Sequence, residues 1–136
     1  MDAENGENME LYTGWLAVWV LLGCYEREFF KADEAITAEK LEALRERSAE
    51  MIAHMRKCKE AGLLRLEDID TGGGYAAILR GLSVIEEQAT RDAAAMTEKE
   101  WRELECIAIK IRIHAWAQRM RVHGRMLQAR RAEVIR

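Results

Sequence analysis

Ile107-Ala108-Ile109-Lys110-Ile111-Arg112-Ile113-His114 is the stretch on which the fold turns. Every second residue is isoleucine, the period of a half-buried strand. The flanks overrule that reading. No turn residue interrupts the chain from Glu98 to His123, and both sides of the isoleucines are rich in Glu, Ala, Gln, Arg and Met, which lose little on entering a helix. Thr97-Glu98-Lys99-Glu100, just upstream, matches a capping box, with threonine at the N-cap and glutamate at N3. The segment therefore predicts one helix from Glu98 to about Ala132, roughly 50 Å long at 1.5 Å per residue. Gly124 weakens it by about 1 kcal/mol relative to alanine and marks a place for a bend or a frayed end.

Wound at 100° per residue, this helix has two apolar faces. Leu104, Ala108, Ile111, Ala115, Val122 and Met126 make one, and Ile109, Ile113, Trp116, Met120 and Leu127 make the other. Arg112, Arg119, His123 and Arg130 separate them on one flank, with Lys110 and Arg121 on the opposite flank. A helix with two apolar faces contacts two layers, the second being the first helix of this chain or another subunit.

Upstream, the apolar positions Tyr75, Ile78, Leu79, Leu82 and Ile85 predict a third helix over 75–95, in which Gly81 and Ser83 are small enough for a close helix approach. Before it runs the one long connection, residues 62–74, with Asp70-Thr71-Gly72-Gly73-Gly74 at its end. Asp70 or Thr71 is expected to cap the helix. A phosphate loop is the weaker reading, because the GxxxxGK[ST] lysine is missing and no strand precedes. A second helix is predicted over 38–61. Thr37 is its N-cap, a stripe of Leu41, Leu44, Ser48, Met51, Ile52, Met55 and Cys58 its core face, and Gly62 its terminator.

The first helix is predicted over 9–31, and its centre, Trp15 to Leu22, is apolar on every face. Such a helix must be surrounded. Tyr12, Trp15, Trp19 and Leu22 share one side, either as core or as an interface with a partner or a second copy. With Trp116 and Met120 they form the candidate interface. The expected fold is all-α, a helical bundle of four main helices with a long C-terminal helix. Residues 1–8 are a flexible acidic tail and 9–136 a single domain.

Composition agrees. The 136 residues contain no proline, 49% are hydrophobic and 33% charged, which is globular composition with long unkinked helices. The longest uncharged run, Leu11 to Tyr25, is shorter than the roughly 18 to 20 residues of a membrane span, so no membrane is expected. The acidic start lacks the features of a secretory or transit signal. Three widely spaced cysteines, Cys24, Cys58 and Cys106, with no CxxC, read as buried free thiols in a reducing, cytoplasmic setting.

No motif names a reaction. The histidines His54, His114 and His123 form neither HExxH nor paired Glu-x-x-His, and His54 with Cys58 gives two ligands, not a closed site. The expectation is no metal, no cofactor and no catalysis, with a pocket lined by His54, Cys58 and Tyr75 as the feature that would revive a small enzyme or carrier.

Charge gives the functional lead. Residues 1–100 carry 12 basic and 21 acidic side chains, and residues 101–136 carry 9 and 3. Lys110, Arg112, Arg119, Arg121, Arg125, Arg130 and Arg131 lie on the last helix, and the guanidinium fork suits phosphate. The expected function is a non-enzymatic accessory subunit that binds nucleic acid or a ribonucleoprotein assembly through this helix. The alternative is a protein–protein adaptor or inhibitor acting through apolar helix surfaces, with a protein partner or homo-oligomer. The bland alternative is a solvated helix neutralised by the chain's own acidic second and third helices.

Overall fold

The computed structural model describes residues 14–31, 34–64 and 74–135, with side chains as far as Arg121. Four helices appear in these residues: α1 Trp15–Phe29, α2 Ala38–Glu60, α3 Tyr75–Gln88 and α4 Glu98–Ile135. A short 3-10 turn, Ala93–Ala95, precedes α4. Among the described residues there is no strand. The start expected for the first helix at Met9, the acidic tail and the capping of α3 by Asp70 or Thr71 lie outside the described residues.

Local chemistry sets the ends. Thr37 Oγ1 accepts the Lys40 N–H at 3.1 Å and opens α2. Gly62 closes it at φ 72°, a region only glycine enters freely. Leu63 N–H then reaches the Cys58 carbonyl at 2.9 Å and Gly62 N–H the Lys59 carbonyl at 3.0 Å, the paired bonds of a Schellman motif. At α4 the capping box is complete: Thr97 Oγ1 accepts from Glu100 N–H at 3.1 Å, and Glu100 Oε1 accepts from Thr97 N–H at 3.4 Å. Arg91 pairs with the same glutamate.

α3 stops at Gln88, short of the Ala95 that apolar spacing suggested. Thr90 Oγ1 donates to the Glu87 carbonyl at 2.6 Å, and Asp92 turns extended so that its carboxylate takes the Ala94 N–H at 3.1 Å. These local side-chain bonds compete with helix continuation.

α4 packs on α1 and on α3, while α2 packs mainly on α3 and meets α1 more lightly. The core holds Val18, Leu22 and Tyr25 from α1, Leu44 and Met55 from α2, Ile78, Leu82 and Ile85 from α3, and Leu104, Ala108, Ile111 and Ala115 from α4. Tyr25 and Ser48 carry the buried polar contact. Ser48 Oγ donates to the Leu44 carbonyl at 2.7 Å, so the Tyr25 hydroxyl donates to Ser48 Oγ, also at 2.7 Å. The α3–α4 approach is tight: a Cβ on Gly81 would lie 2.4 Å from Ile111 Cγ2 and 3.2 Å from Ile107 Cγ2. Ser83 faces solvent and takes no part.

The alternating isoleucines are helical throughout, and α4 runs through Gly124 without a break. The helix spreads them around its axis. Ile111 enters the core, Ile107 and Ile109 are half-buried, and Ile113 faces solvent.

Candidate functional site

α1 and α4 run antiparallel, and three contacts set their register. Trp19 packs against Trp116 in a tilted contact with ring centroids 4.7 Å apart, Glu26 meets Arg112, and Phe30 meets Trp101 at 4.9 Å. α1 thus covers the sector of α4 next to its core face. Beyond that cover lies the second apolar face. Ile109 is half-buried at its edge, while Ile113, Trp116 and Met120 are 56%, 40% and 44% exposed. Across the Trp19–Trp116 pair, Val20 on α1 is 46% exposed. The steps from Ile109 to Ile113, Trp116 and Met120 are four, three and four residues, the a/d spacing of a heptad seam.

The candidate interface residues divide. Trp15 and Leu22 belong to the core of this chain and offer no surface to a partner. They share the side of α1 turned toward the other helices, so the all-round apolar composition is explained there by internal packing. Trp19 is half-buried and joins the exposed face through Trp116, and Met120 lies fully on that face. Tyr12 lies outside the described residues. Ile113 and Val20 are exposed members that the candidate set did not contain. The signal for Ile113 was its place on the second apolar face, and for Val20 the absence of any polar face on α1.

The candidate phosphate ligands divide as well. Arg112 Nε stands 2.6 Å from Glu26 Oε2, both side chains partly buried, and its aliphatic stem runs over Gly23. Arg112 is engaged within the chain and is not a free anion ligand. Arg119 lies with its guanidinium carbon 5.7 Å from the centre of the Trp116 ring and donates to Met120 Sδ at 3.7 Å. Lys110 and Arg121 are exposed on the other flank. Among the described residues no carboxylate pairs with Lys110, Arg119 or Arg121, and no cation of α4 pairs with a carboxylate of α2 or α3. The side chains of Arg125, Arg130 and Arg131 lie outside the described residues. From Cys106 to Arg121, α4 therefore presents four cations and no acid, with one of the four already matched by Glu26.

The thiols differ from expectation. Cys58 is buried, but Cys24 and Cys106 are exposed, because Cys24 falls on the outer side of α1 and Cys106 on the outer side of α4. Cys58 Sγ lies 3.6 Å from His54 Nε2, and burial pushes this thiol above its ordinary range. It is held protonated, the opposite of an activated nucleophile. Among the described residues no three His, Cys, Asp or Glu side chains cluster as metal ligands, and no helix is long and apolar enough to cross a membrane. A hollow of 590 Å³ between the end of α1 and the start of α4 is lined by Phe30, Ile36 and Trp101 and by charges of both signs. It contains none of His54, Cys58 and Tyr75.

Comparison with protein-family models, with curated proteins and with solved structures finds no match for this chain.

Proposed function

We propose that this chain is a non-catalytic binding subunit that holds a helix of a partner protein against the second apolar face of α4. One observation carries the reading: Ile109, Ile113, Trp116 and Met120 keep heptad spacing along a helix whose other apolar face already serves the core, and three of the four are at least 40% exposed. Scattered exposed hydrophobes are ordinary, but a contiguous stripe with a tryptophan and an arginine beside it has the composition of an interface centre.

A second reading has its own support. Lys110, Arg119 and Arg121 have no carboxylate partner among the described residues, and an arginine beside an exposed tryptophan is a combination that holds single-stranded nucleic acid. It is the weaker of the two, because phosphate contact leaves Ile113 and Met120 without a role.

The deciding experiment compares the wild-type chain with Ile113→Glu/Met120→Glu and with Lys110→Ala/Arg119→Ala/Arg121→Ala. Each is assayed for protein captured from nuclease-treated extract and for binding of labelled RNA and duplex DNA over a salt series. We expect protein capture to be lost in the glutamate pair, with circular dichroism unchanged. Capture indifferent to that pair overturns the reading. Nucleic-acid binding whose salt slope falls by about 0.7 to 0.9 for each cation removed moves the function to the second reading.

A further inference from the structure

The α4 face has a charge pattern as well as an apolar one, and the pattern selects its occupant. The acid-free stretch of α4 that carries the apolar stripe spans residues 106–121, about 24 Å at 1.5 Å per residue. Lys110 and Arg121 lie along one side of it, and Arg112 and Arg119 along the side next to α1. On α1, Arg27 is exposed seven residues after Val20 and therefore on the same side of that helix. The acid within reach is Glu26, and it is bound to Arg112. Among the described side chains of α4, the acids are Glu98, Glu100, Glu103 and Glu105, and all precede Cys106.

We infer that the partner helix is amphipathic with acidic flanks, an inference that rests on the helix-docking reading above. Apolar positions at a and d fill the stripe, and Glu or Asp at e and g meet Lys110 and Arg119. A second copy of this chain fits poorly. Antiparallel pairing about the middle of residues 106–121 brings Lys110 and Arg119 of one copy within about one turn of Arg121 and Arg112 of the other. Like charges flanking a seam are the usual means by which a coiled coil rejects itself and selects a partner of opposite charge. A nucleic acid satisfies the cations but leaves the exposed aliphatic groups of the stripe in water.

The test uses the full chain and two designed peptides of about 21 residues, identical except that one carries Glu and the other Lys at e and g, with Leu at a and d in both. Labelled peptide is titrated by fluorescence anisotropy. The Glu peptide is expected to bind at least about tenfold tighter than the Lys peptide at about 50 mM salt, with the ratio falling toward unity at about 1 M. Lys110→Glu/Arg119→Glu should reverse the preference, and Ile113→Glu should abolish binding of both peptides.

Equal affinity for the two peptides, lost in Ile113→Glu, overturns the acidic-partner inference and leaves the docking face standing. Binding of neither peptide overturns the docking reading too. A chain that light scattering shows to be a dimer, made monomeric by Ile113→Glu, has a second copy as its occupant and refutes the inference. A labelled RNA that binds through Lys110 and Arg119 while both peptides fail refutes it in favour of nucleic acid.

Discussion

Replacing Gly81 with alanine inverts the usual expectation for a helical glycine. In an exposed helix interior the change stabilises by about 1 kcal/mol, through better propensity and a less flexible unfolded chain. Here the added Cβ would meet Ile111 Cγ2 at 2.4 Å and Ile107 Cγ2 at 3.2 Å. Ile111 is 2% exposed and β-branched on a helix, so its methyl has no second rotamer to retreat into. Relief must come from sliding α3 off α4, and overpacking of this kind costs about 1 to 3 kcal/mol. Subtracting the propensity gain leaves a net loss of about 0 to 2 kcal/mol. That corresponds to a fall in Tm of up to about 7 °C for a domain of this size.

Urea denaturation followed by circular dichroism gives the magnitude, and a double-mutant cycle gives the cause. With Ile111→Ala in the background the obstructing methyl is gone, and Gly81→Ala should become neutral or stabilising. If Gly81→Ala stabilises the otherwise wild-type chain, or costs the same in both backgrounds, the close approach of α3 and α4 is not as described.

Further outcomes follow from single contacts. Burial pushes the Tyr25 hydroxyl well above its ordinary 10.0, chiefly by desolvation. The unfolded chain loses this proton first as pH rises, so the folded state should lose up to about 1.4 kcal/mol per pH unit above pH 10 from this residue. Tyr25→Phe should flatten that alkaline limb in denaturation series, while costing about 1 kcal/mol at neutral pH through the lost bond to Ser48. Thr97→Ala removes the cap that accepts from Glu100 and should lower stability by about 1 kcal/mol, read from the denaturation midpoint. A thiol reagent added to the native chain should label Cys24 and Cys106 rapidly and Cys58 only on unfolding; rapid labelling of Cys58 would contradict its burial.

How much of this was legible in the sequence depends on the range of the interaction responsible. The capping box at Thr97 and the Gly62 terminator are encoded within a few residues, and both form as their spacing implies. The stripe of α2 from Leu41 to Cys58 is equally local, since a single amphipathic face leaves one way to pack. The early stop of α3 was legible in principle, because Thr90 and Asp92 are residues that bond back to the chain, but a run of alanines obscured it. Partner choice between helices was not legible. Nothing in the spacing of Arg112 says that Glu26, 86 residues away, will sit 2.6 Å from it, and nothing in the pattern of α1 separates Leu22 in the core from Val20 in water. Those outcomes follow from the antiparallel register of α1 on α4, which only the assembled bundle defines.

That register also explains why the long helix keeps an unpaired face. α4 has 38 residues and α1 has 15, so α1 spans less than half of its length. On the other side, Gly81 draws α3 against Ile107 and Ile111 and fixes it to the inner sector. With α1 and α3 both committed to the inner half of its circumference, α4 has no third helix of this chain, among the described residues, to cover Ile113 and Met120. A helix kept only for stability would carry polar residues there, since each exposed aliphatic group stays in water without the gain of burial. The second apolar face is thus the part of the sequence that the packing of the described helices leaves unexplained, and it is the observation on which the proposed helix docking rests.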